Sequence, residues 1–392
     1  MKSGTHTLYI IFLLSFILRV PVSLIYGDNY LENEWEILVR NLIDHKTLAI
    51  LNFGDLYVPN LWMPPLYAYF LFSISLLFES LNNNYINTVL IVQCALSSVS
   101  VVIFYKILKN FYSSNISLIG TLIFSFFPLN LYSSSQISSV SLVIFLSMSF
   151  YYFLIKISED EKIIYLILFS LTAGLLILSR REFILLFIIT NFFLFFFIKI
   201  NLKKIFLILL FASLVVSPYI IRNYIAFDKI IIQAGFGYNV WKAYNPKAKV
   251  EGYYLPSAEL KEKISLIKKD KFYRINEDKI YLKQAITYIQ DEPVKYLKLY
   301  FLRLFSYYFI DFDSSQKKYY NFFHIAPNML VSIFFLFSLF RYNKKSILLN
   351  YFLFIFFTYL FLISSFAILA RYKLYLIPIQ ILFSLNLLSK KN

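Results

Sequence analysis

Long apolar runs recur along the chain and dominate its pattern of hydrophobic and polar positions. Each run is close to the ~20 residues that an α-helix needs to cross the hydrocarbon core of a bilayer. Backbone groups in lipid must be satisfied within the segment, so runs of this kind predict transmembrane helices. The predicted spans are residues 8–26, 86–106, 116–133, 138–156, 163–179, 183–199, 204–222, 325–341, 346–366 and 372–388.

Two hydrophilic stretches, 27–63 and 223–296, interrupt this pattern. Between the first stretch and the next span lies an apolar run, 66–81, which follows Pro64-Pro65, contains Glu79 and is short for a tilted span. We interpret it as a helix in the outer membrane interface. The segment "LKLYFLRLFSYYFID", in which two basic residues are interleaved with aromatic residues, is interpreted in the same way.

The basic residues predict the orientation, because Lys and Arg accumulate on the cytoplasmic side of a membrane protein. If Lys2 starts inside and the run 66–81 does not cross, both hydrophilic stretches lie outside. The residues then placed in the cytoplasm are Lys106, Lys109, Lys156, Lys162, Lys199 to Lys204, Arg341 to Lys345, Lys390 and Lys391.

The sequence therefore predicts an all-α, polytopic integral membrane protein with about 10–11 transmembrane helices plus juxtamembrane helices. The predicted division is an N-terminal transmembrane module (1–222), an outer loop with a juxtamembrane helix (223–311) and C-terminal transmembrane helices (312–392). The first outer loop (27–63) and the interfacial helix (64–81) belong to the N-terminal module.

Composition excludes several classes of protein. A chain that is 59% hydrophobic, with a mean hydropathy of +0.65, has too much apolar surface for a soluble protein. Many of the charges behind the net charge of +16 stand at span ends, which indicates membrane lipids as partners and not nucleic acid. The single cysteine, Cys94, rules out an intramolecular disulfide. The sequence lacks a glycine-rich phosphate loop and a metal-spaced Cys/His cluster, so the substrate itself or a gradient must supply the energy.

An acidic cluster follows the first span, in "YGDNYLENEWEILVRNL". Apolar residues at i, i+3, i+4 and i+7 predict an amphipathic helix over 33–43 whose apolar stripe lies on the membrane surface. A structural role accounts for the acidic residues through a capping box from Asn29 to Glu32 and an ion pair between Glu36 and Arg40. A functional role makes one carboxylate a general base. The candidates for that base are Asp28, Glu32 and Glu34.

Basic residues form a second group, on the same predicted side. Arg180, Arg181, Arg222 and Arg371 stand at outer span ends, and Arg19 lies deeper within the first span. Arginines at such positions either extend to lipid phosphates or bind the phosphate of an activated sugar in a shared pocket. Arg19 needs a cavity or a partner, because a cation in the membrane is costly.

The segment "AGFGYNVWKAYNP" is the third group. Two of the chain's 8 glycines, Gly235 and Gly237, stand in it beside Asn239, Trp241 and Asn245. Aromatic and amide side chains are typical sugar contacts, and an ordinary loop turn is the alternative interpretation.

Six segments together resemble the membrane glycosyltransferases with the GT-C fold, in the bacterial branch related to protein O-mannosyltransferases and the lipid A aminoarabinose transferase. They follow the family's order over nearly the whole chain. The segments are "LENEWEILVRNLI", "WMPPLYAYFLFSISLLFE", "FFPLNLYSSSQISSVSL", "GLLILSRREFILLF", "VSPYIIRNYIAFDKIIIQAGFGYNVWKAYNPKA" and "ARYKLYLIPI".

The resemblance implies an inverting transfer from a polyprenyl-phosphate sugar to a lipid, glycan or protein, at the periplasmic face of a bacterial inner membrane. It puts the catalytic acid in the first outer loop, on Glu32 or Glu34, with Asp28 as the third candidate. It puts the lipid phosphate on Arg180, Arg181, Arg222 and Arg371. Further substrate-binding candidates at motif positions are Arg19, Tyr67, Asn223, Gly237, Asn239, Trp241, Asn245 and Tyr372.

The chain departs from the family pattern at three positions. Leu31 precedes Glu32 where relatives have a paired acid, Ser139 replaces an acid, and Glu182 stands where proline is common. The sequence predicts no set of metal ligands, and it leaves open whether a divalent ion assists the reaction. The alternative functions are a glycan polymerase or ligase with a diphosphate-linked donor, and a transporter of a lipid-linked sugar.

Overall fold

The computed structural model describes residues 2–315, 320–342 and 346–389, and this part of the chain is mainly helical. The predicted cytoplasmic residues Lys344, Lys345, Lys390 and Lys391 lie outside it. The α-helices are α1 (Lys2–Tyr26), α2 (Asn33–His45), α3 (Pro65–Ser75), α4 (Asn83–Leu108), α5 (Ser114–Phe126), α6 (Pro128–Ser135), α7 (Val140–Glu159), α8 (Ile163–Ser179), α9 (Phe183–Phe196), α10 (Leu202–Phe227), α11 (Phe236–Tyr244), α12 (Ala258–Ser265), α13 (Tyr273–Asp291), α14 (Pro293–Tyr308), α15 (Phe322–Arg341), α16 (Ile347–Ser364) and α17 (Ile377–Ser384).

Six of the described helices are long and apolar enough to cross a membrane, which confirms an all-α polytopic membrane protein. They are α1, α4, α7, α10, α15 and α16. The pair α5 and α6 adds a seventh candidate, bent by 49°. The bend falls where Phe127 takes an extended conformation before Pro128, because proline disfavours a helical residue ahead of it and donates no backbone N–H.

Three further predicted spans correspond to shorter apolar helices: α8 with 17 residues, α9 with 14 and α17 with 8. α8 and α9 are separated by the polar triplet Arg180-Arg181-Glu182, and α17 follows a 3-10 helix, Ala370–Tyr375, that contains two basic residues. Charged residues therefore stand at the breaks between these apolar helices. One hydrophobic cluster nevertheless runs from Ile11 to Leu385, so these shorter helices pack with the long ones.

The first outer loop folds into α2 and a hairpin of two antiparallel strands, β1 (Ala49–Phe53) and β2 (Leu56–Pro59). The helix prediction is confirmed, but its placement on the membrane surface is wrong. Leu38 and Val39 are fully buried, and Leu38 packs with Ala68 of α3 and Tyr219 of α10. The apolar stripe is covered by protein, because burial against α3 and α10 removes its apolar surface from water.

The predicted capping box does not form. Glu32 is itself the N-cap of α2, and its side chain makes no capping hydrogen bond. The helix therefore begins three residues later than a cap at Asn29 requires. The predicted pair of Glu36 and Arg40 is confirmed, with Arg40 Nη2 2.7 Å from Glu36 Oε1.

Helix α3 corresponds to the predicted interfacial segment and, at 11 residues, is too short to span. Tyr67, Ala68 and Leu71 are fully buried against the protein, whereas Leu76 and Leu77 beyond its end are exposed. One face of this helix is therefore part of the protein core, and a position of its exposed end in the membrane interface stays a prediction.

Arg222, near the outer end of α10, fastens the first outer loop to the transmembrane helices. Its guanidinium donates to the carbonyl oxygens of Leu48 (2.8 Å) and Asn60 (2.9 Å), at the two ends of the hairpin. We predict that Arg222→Leu lowers the free energy of unfolding by about 2 kcal/mol, because its charge-assisted hydrogen bonds to the two carbonyls and to Asn223 Oδ1 are lost. Thermal unfolding in detergent measures this.

Arg40→Leu is the matched control, since its exposed ion pair with Glu36 is worth only about 0.3–0.5 kcal/mol. An equal loss of stability in both variants would contradict the role given to Arg222.

The orientation predicts the outcome of reporter fusions. Alkaline phosphatase fused after residue 250 should be active, and green fluorescent protein fused after residue 160 should fluoresce, since the first reporter needs the outside and the second the cytoplasm. An active phosphatase at 160 would overturn the orientation.

Candidate functional site

The end of the first outer loop is joined directly to the segment before α11. The backbone N–H of Ala234 donates to the carbonyl of Leu61 (2.8 Å), and the amide of Gln233 donates to the carbonyl of Trp62 (2.6 Å). Gly235 adopts a φ of +91°, which favours glycine, and lies over the Trp62 ring. These contacts bring two segments together that are more than 170 positions apart.

Trp62 and Tyr238 form an aromatic surface at this junction, with ring centroids 4.8 Å apart. Arg274 of α13 lies 4.8 Å over the Trp62 ring and is paired with the buried Glu277 at 2.6 Å. Glu34 of α2 lies within electrostatic reach of Tyr238. Burial raises the pKa of the Tyr238 hydroxyl, and the charge of Glu34 raises it further.

Arg181 completes this group of side chains. Its guanidinium lies 5.6 Å from the Phe236 ring and donates to the carbonyl of Ala234 at 3.4 Å. Burial lowers the pKa of Arg181, and the charges of Glu182 and Asp278 oppose that shift. We call the five residues Glu34, Trp62, Arg181, Tyr238 and Arg274 the outer cluster. It offers a carboxylate, aromatic faces and two cations in one place.

Arg180 contacts other residues than the neighbouring Arg181 does. It is paired with Glu182, donates to the hydroxyl of Tyr375 (2.9 Å) and lies 4.6 Å from the Tyr372 ring. Glu182, where the family commonly has proline, thus neutralises the first arginine of the pair. Tyr372 contributes its ring to Arg180 and its carbonyl to the Tyr307 hydroxyl (3.2 Å).

Arg222 and Asn223 donate hydrogen bonds to other groups of the protein. Besides the two carbonyls of the hairpin, Arg222 donates to Asn223 Oδ1 (2.7 Å), and Asn223 donates to the carbonyl of Ile231 (2.7 Å). Asn223 is fully buried. Their direct contacts therefore position the loops on either side of α10.

Asp28 lies against the loop between α6 and α7. Its carboxylate accepts the backbone N–H of Ile137 (2.7 Å), and its own N–H donates to the carbonyl of Ser135 (3.1 Å). Tyr67 is fully buried, donates to Gln93 (2.7 Å) and packs edge-on to Trp35 at 4.8 Å. Among the three acidic candidates, Glu32 and Glu34 are exposed, and the charge of Glu34 acts on Tyr238.

The substrate-binding candidates on α11 and at its C-terminal end differ in their exposure. Gly237 permits a close approach to α13, where an added Cβ would lie 2.0 Å from the carbonyl oxygen of Asp278. Trp241 is buried against Tyr281, with ring centroids 4.8 Å apart. Asn245 is buried and donates to the carbonyl of Tyr253 (2.8 Å), whereas Asn239 is exposed.

Arg19 is fully buried among α1, α4 and α5. It donates to the hydroxyls of Ser15 (2.5 Å) and Ser97 (2.9 Å) and to the carbonyl of Ser125 (3.2 Å). The partner that its depth requires is therefore this set of serine groups. Arg371, in contrast, is exposed at the mouth of a separate pocket near the C-terminal helices.

Sequence reasoning missed Trp62, Tyr238 and Arg274. Trp62 opens one of the quoted motif segments, and Tyr238 lies between the binding candidates Gly237 and Asn239 in another. Their positions within the motifs could therefore have identified them as candidates. Arg274 lies in a helix without any motif. Among the described residues, no three His, Cys, Asp or Glu side chains lie close enough together to hold a metal ion.

A family model matches part of the chain. Residues 63–221 match the family model of the dolichyl-phosphate-mannose-protein mannosyltransferases. This part of the chain is therefore similar to that family, in agreement with the resemblance carried by its motifs. It covers α3 to most of α10, including Arg180 and Arg181. No curated protein matches the chain.

The close packing of α11 on α13 can be tested at Gly237. We predict that Gly237→Ala destabilises the protein by about 1–3 kcal/mol, since the added methyl overlaps a backbone carbonyl. Thermal unfolding in detergent gives the loss, and a changed tryptophan emission would report the displacement of Tyr238 from Trp62 and Trp241. The control is Asn239→Ala on the exposed face of the same helix, which should leave both readouts close to wild type.

Proposed function

We propose that the protein transfers a sugar from a polyprenyl-phosphate donor to a lipid, glycan or protein acceptor, with inversion, at the periplasmic face of a bacterial inner membrane. The observation that carries this proposal is the outer cluster. It brings a first-loop carboxylate, an aromatic surface and Arg181 together on the side opposite to the predicted cytoplasmic lysines.

The chemistry requires three groups in one place. Glu34 accepts the proton of an acceptor hydroxyl, whose oxygen attacks the anomeric carbon of the donor sugar. The bond from that carbon to the phosphate oxygen breaks, and the phosphate leaves with the electron pair. Because attack and departure are on opposite faces of the sugar, the configuration inverts.

Arg181 supports the departure of the phosphate. A guanidinium stays charged and binds phosphate oxygens bidentately, so it stabilises the negative charge that develops on the leaving group. The face of Trp62 is suited to the apolar face of a sugar ring. The donor's own phosphate bond supplies the driving force.

Glu34 is preferred over Glu32 as the base because its charge acts on Tyr238 of the outer cluster. We predict that Glu34→Gln lowers the rate of transfer by about 10²–10⁴-fold, the usual contribution of a general base. Thermal unfolding should be unchanged, since this exposed carboxylate caps no helix. The measurement is restoration of envelope glycosylation in a deletion strain, together with the amount of membrane-inserted protein.

Two neighbouring variants make the result specific. Glu36→Gln is the matched control and should retain activity, because Glu36 is paired with Arg40. Glu32→Gln should retain most of the activity. Loss in Glu32→Gln alone would move the base to Glu32, and full activity in both Glu32→Gln and Glu34→Gln would exclude a base in this helix. Export of the lipid-linked sugar without cleavage of its phosphate bond would identify a transporter.

A further inference from the structure

The turn between α12 and α13, residues 266–272, is attached to the outer end of α10. Lys271 Nζ lies 3.5 Å from Oδ2 of Asp228, which is the C-cap of α10. The ammonium groups of Lys229 and Lys271 both lie over the ring of Phe272, at 5.8 and 5.0 Å from its centroid. Phe272 itself packs against a buried cluster that includes the last residue of α10. These contacts hold the turn beside the point where α10 ends.

The length of α10 places this end in the outer head-group layer of a bilayer. At about 1.5 Å per residue, α10 rises about 36 Å from Lys204, at its predicted cytoplasmic end, to Asp228, whereas the hydrocarbon core of a bilayer is about 30 Å thick. Tyr224 and Ile225, in the last turn of α10, are exposed on the protein surface, as expected for lipid-facing residues of a spanning helix. The turn attached to Asp228 therefore lies at the depth of the lipid head groups.

Two large aliphatic side chains at this junction are largely exposed. Leu266 is 80% exposed at the start of the turn, and Ile230, just after α10, is 82% exposed. Single exposed apolar residues are common on protein surfaces, so neither is informative by itself. At the depth of the head groups, however, both can be buried at the boundary between head groups and acyl chains, as apolar side chains of interfacial segments are.

Lysines accompany these two apolar side chains on both segments. Lys268 lies 3.8 Å from Asp270, and Lys271 is paired with Asp228. Lys229 and Lys269, in contrast, form no ion pair with any residue that the structure describes. Four lysines against two aspartates leave an excess of positive charge. We call the following set of residues the basic turn: Lys229, Ile230, Leu266, Lys268, Lys269 and Lys271.

We propose that the basic turn binds the head groups of anionic phospholipids, with Ile230 and Leu266 inserted between the upper ends of the acyl chains. The lysines attract the anionic head groups, because basic residues close to a membrane surface interact favourably with its negative charge. The two apolar side chains determine the depth. This binding holds the start of α13, which carries Arg274, at the membrane surface. It does not depend on the proposed glycosyl transfer, and it lies outside the residues that match the family model.

The depth of the turn and its lipid preference can be measured with one fluorescent label. Leu266→Cys is labelled with a nitrobenzoxadiazole maleimide, and the labelled wild-type chain is the blank, because its single cysteine, Cys94, is buried. The full chain is placed in phosphatidylcholine nanodiscs that contain a small fraction of nitroxide-labelled lipid. The nitroxide is at the top of the acyl chain of either phosphatidylglycerol or phosphatidylcholine. Both lipids should quench the label, and phosphatidylglycerol should do so about three-fold more strongly.

Two triple variants test the lysines. Replacing Lys229, Lys268 and Lys269 together by Gln should make the two lipids equally effective as quenchers. The matched control replaces Lys261, Lys279 and Lys283 by Gln, which removes the same charge from exposed positions elsewhere on α12 and α13 and should keep the preference. Thermal unfolding should be unchanged in both variants, since all six lysines are exposed.

Each outcome decides the proposal. Absence of quenching by either lipid would put the turn outside the membrane and overturn it. Equal quenching by the two lipids in the chain with native lysines would refute the anionic partner. A preference that survives in the Lys229, Lys268 and Lys269 variant, or that is lost equally in the control, would refute the role of these lysines. A preference that is lost only in the first variant supports the proposal.

Discussion

The arrangement of the loops around the end of α10 depends on how one half-buried cation, Arg222, is satisfied. Arg222 ends the apolar part of α10, and its guanidinium can lose water only if protein oxygens replace it. The carbonyls of Leu48 and Asn60 do so, from the two ends of the hairpin. Asn60 in turn accepts the backbone N–H groups of Trp62 (2.9 Å) and Met63 (3.0 Å) with its side chain. The start of α3 and the position of Trp62 are fixed through this chain of contacts.

The four outer arginines, although they look equivalent in the sequence, have different roles in the structure. Arg180 is neutralised by Glu182 and enclosed by two tyrosines, and Arg222 organises loops. Arg181 belongs to the outer cluster, and Arg371 is exposed at a separate pocket near the C-terminal helices. A low-dielectric environment magnifies the difference between a paired and an unpaired cation. Partner geometry, not residue type, therefore decides which arginine is available to a phosphate.

The sequence was informative wherever the signal was local. Apolar length predicted the six long helices, and the spacing of Trp35, Leu38, Val39 and Leu42 predicted α2. The pair of Glu36 and Arg40 followed from its i,i+4 spacing. The capping box failed although its spacing was right, because the chain before Glu32 is held elsewhere, through Asp28 and the loop after α6.

Contacts between distant segments could not be predicted in this way. The approach of Ala234 to Leu61, the position of Arg274 over Trp62, and the hairpin between α2 and α3 depend on how the helices pack. Lys373 lies within a recognised motif, but nothing in a linear pattern shows that its side chain is buried. Such long-range arrangements require the folded structure.

The central claim is that this chain adds a sugar to an envelope molecule, and the products of that reaction test it most directly. Mass spectrometry would compare lipid A, surface glycans and glycoproteins from wild-type and deletion strains. The account predicts that one sugar disappears from one class of molecule and that the wild-type gene restores it. An unchanged set of envelope glycans in the deletion strain, with the protein demonstrably present in the wild type, would contradict it.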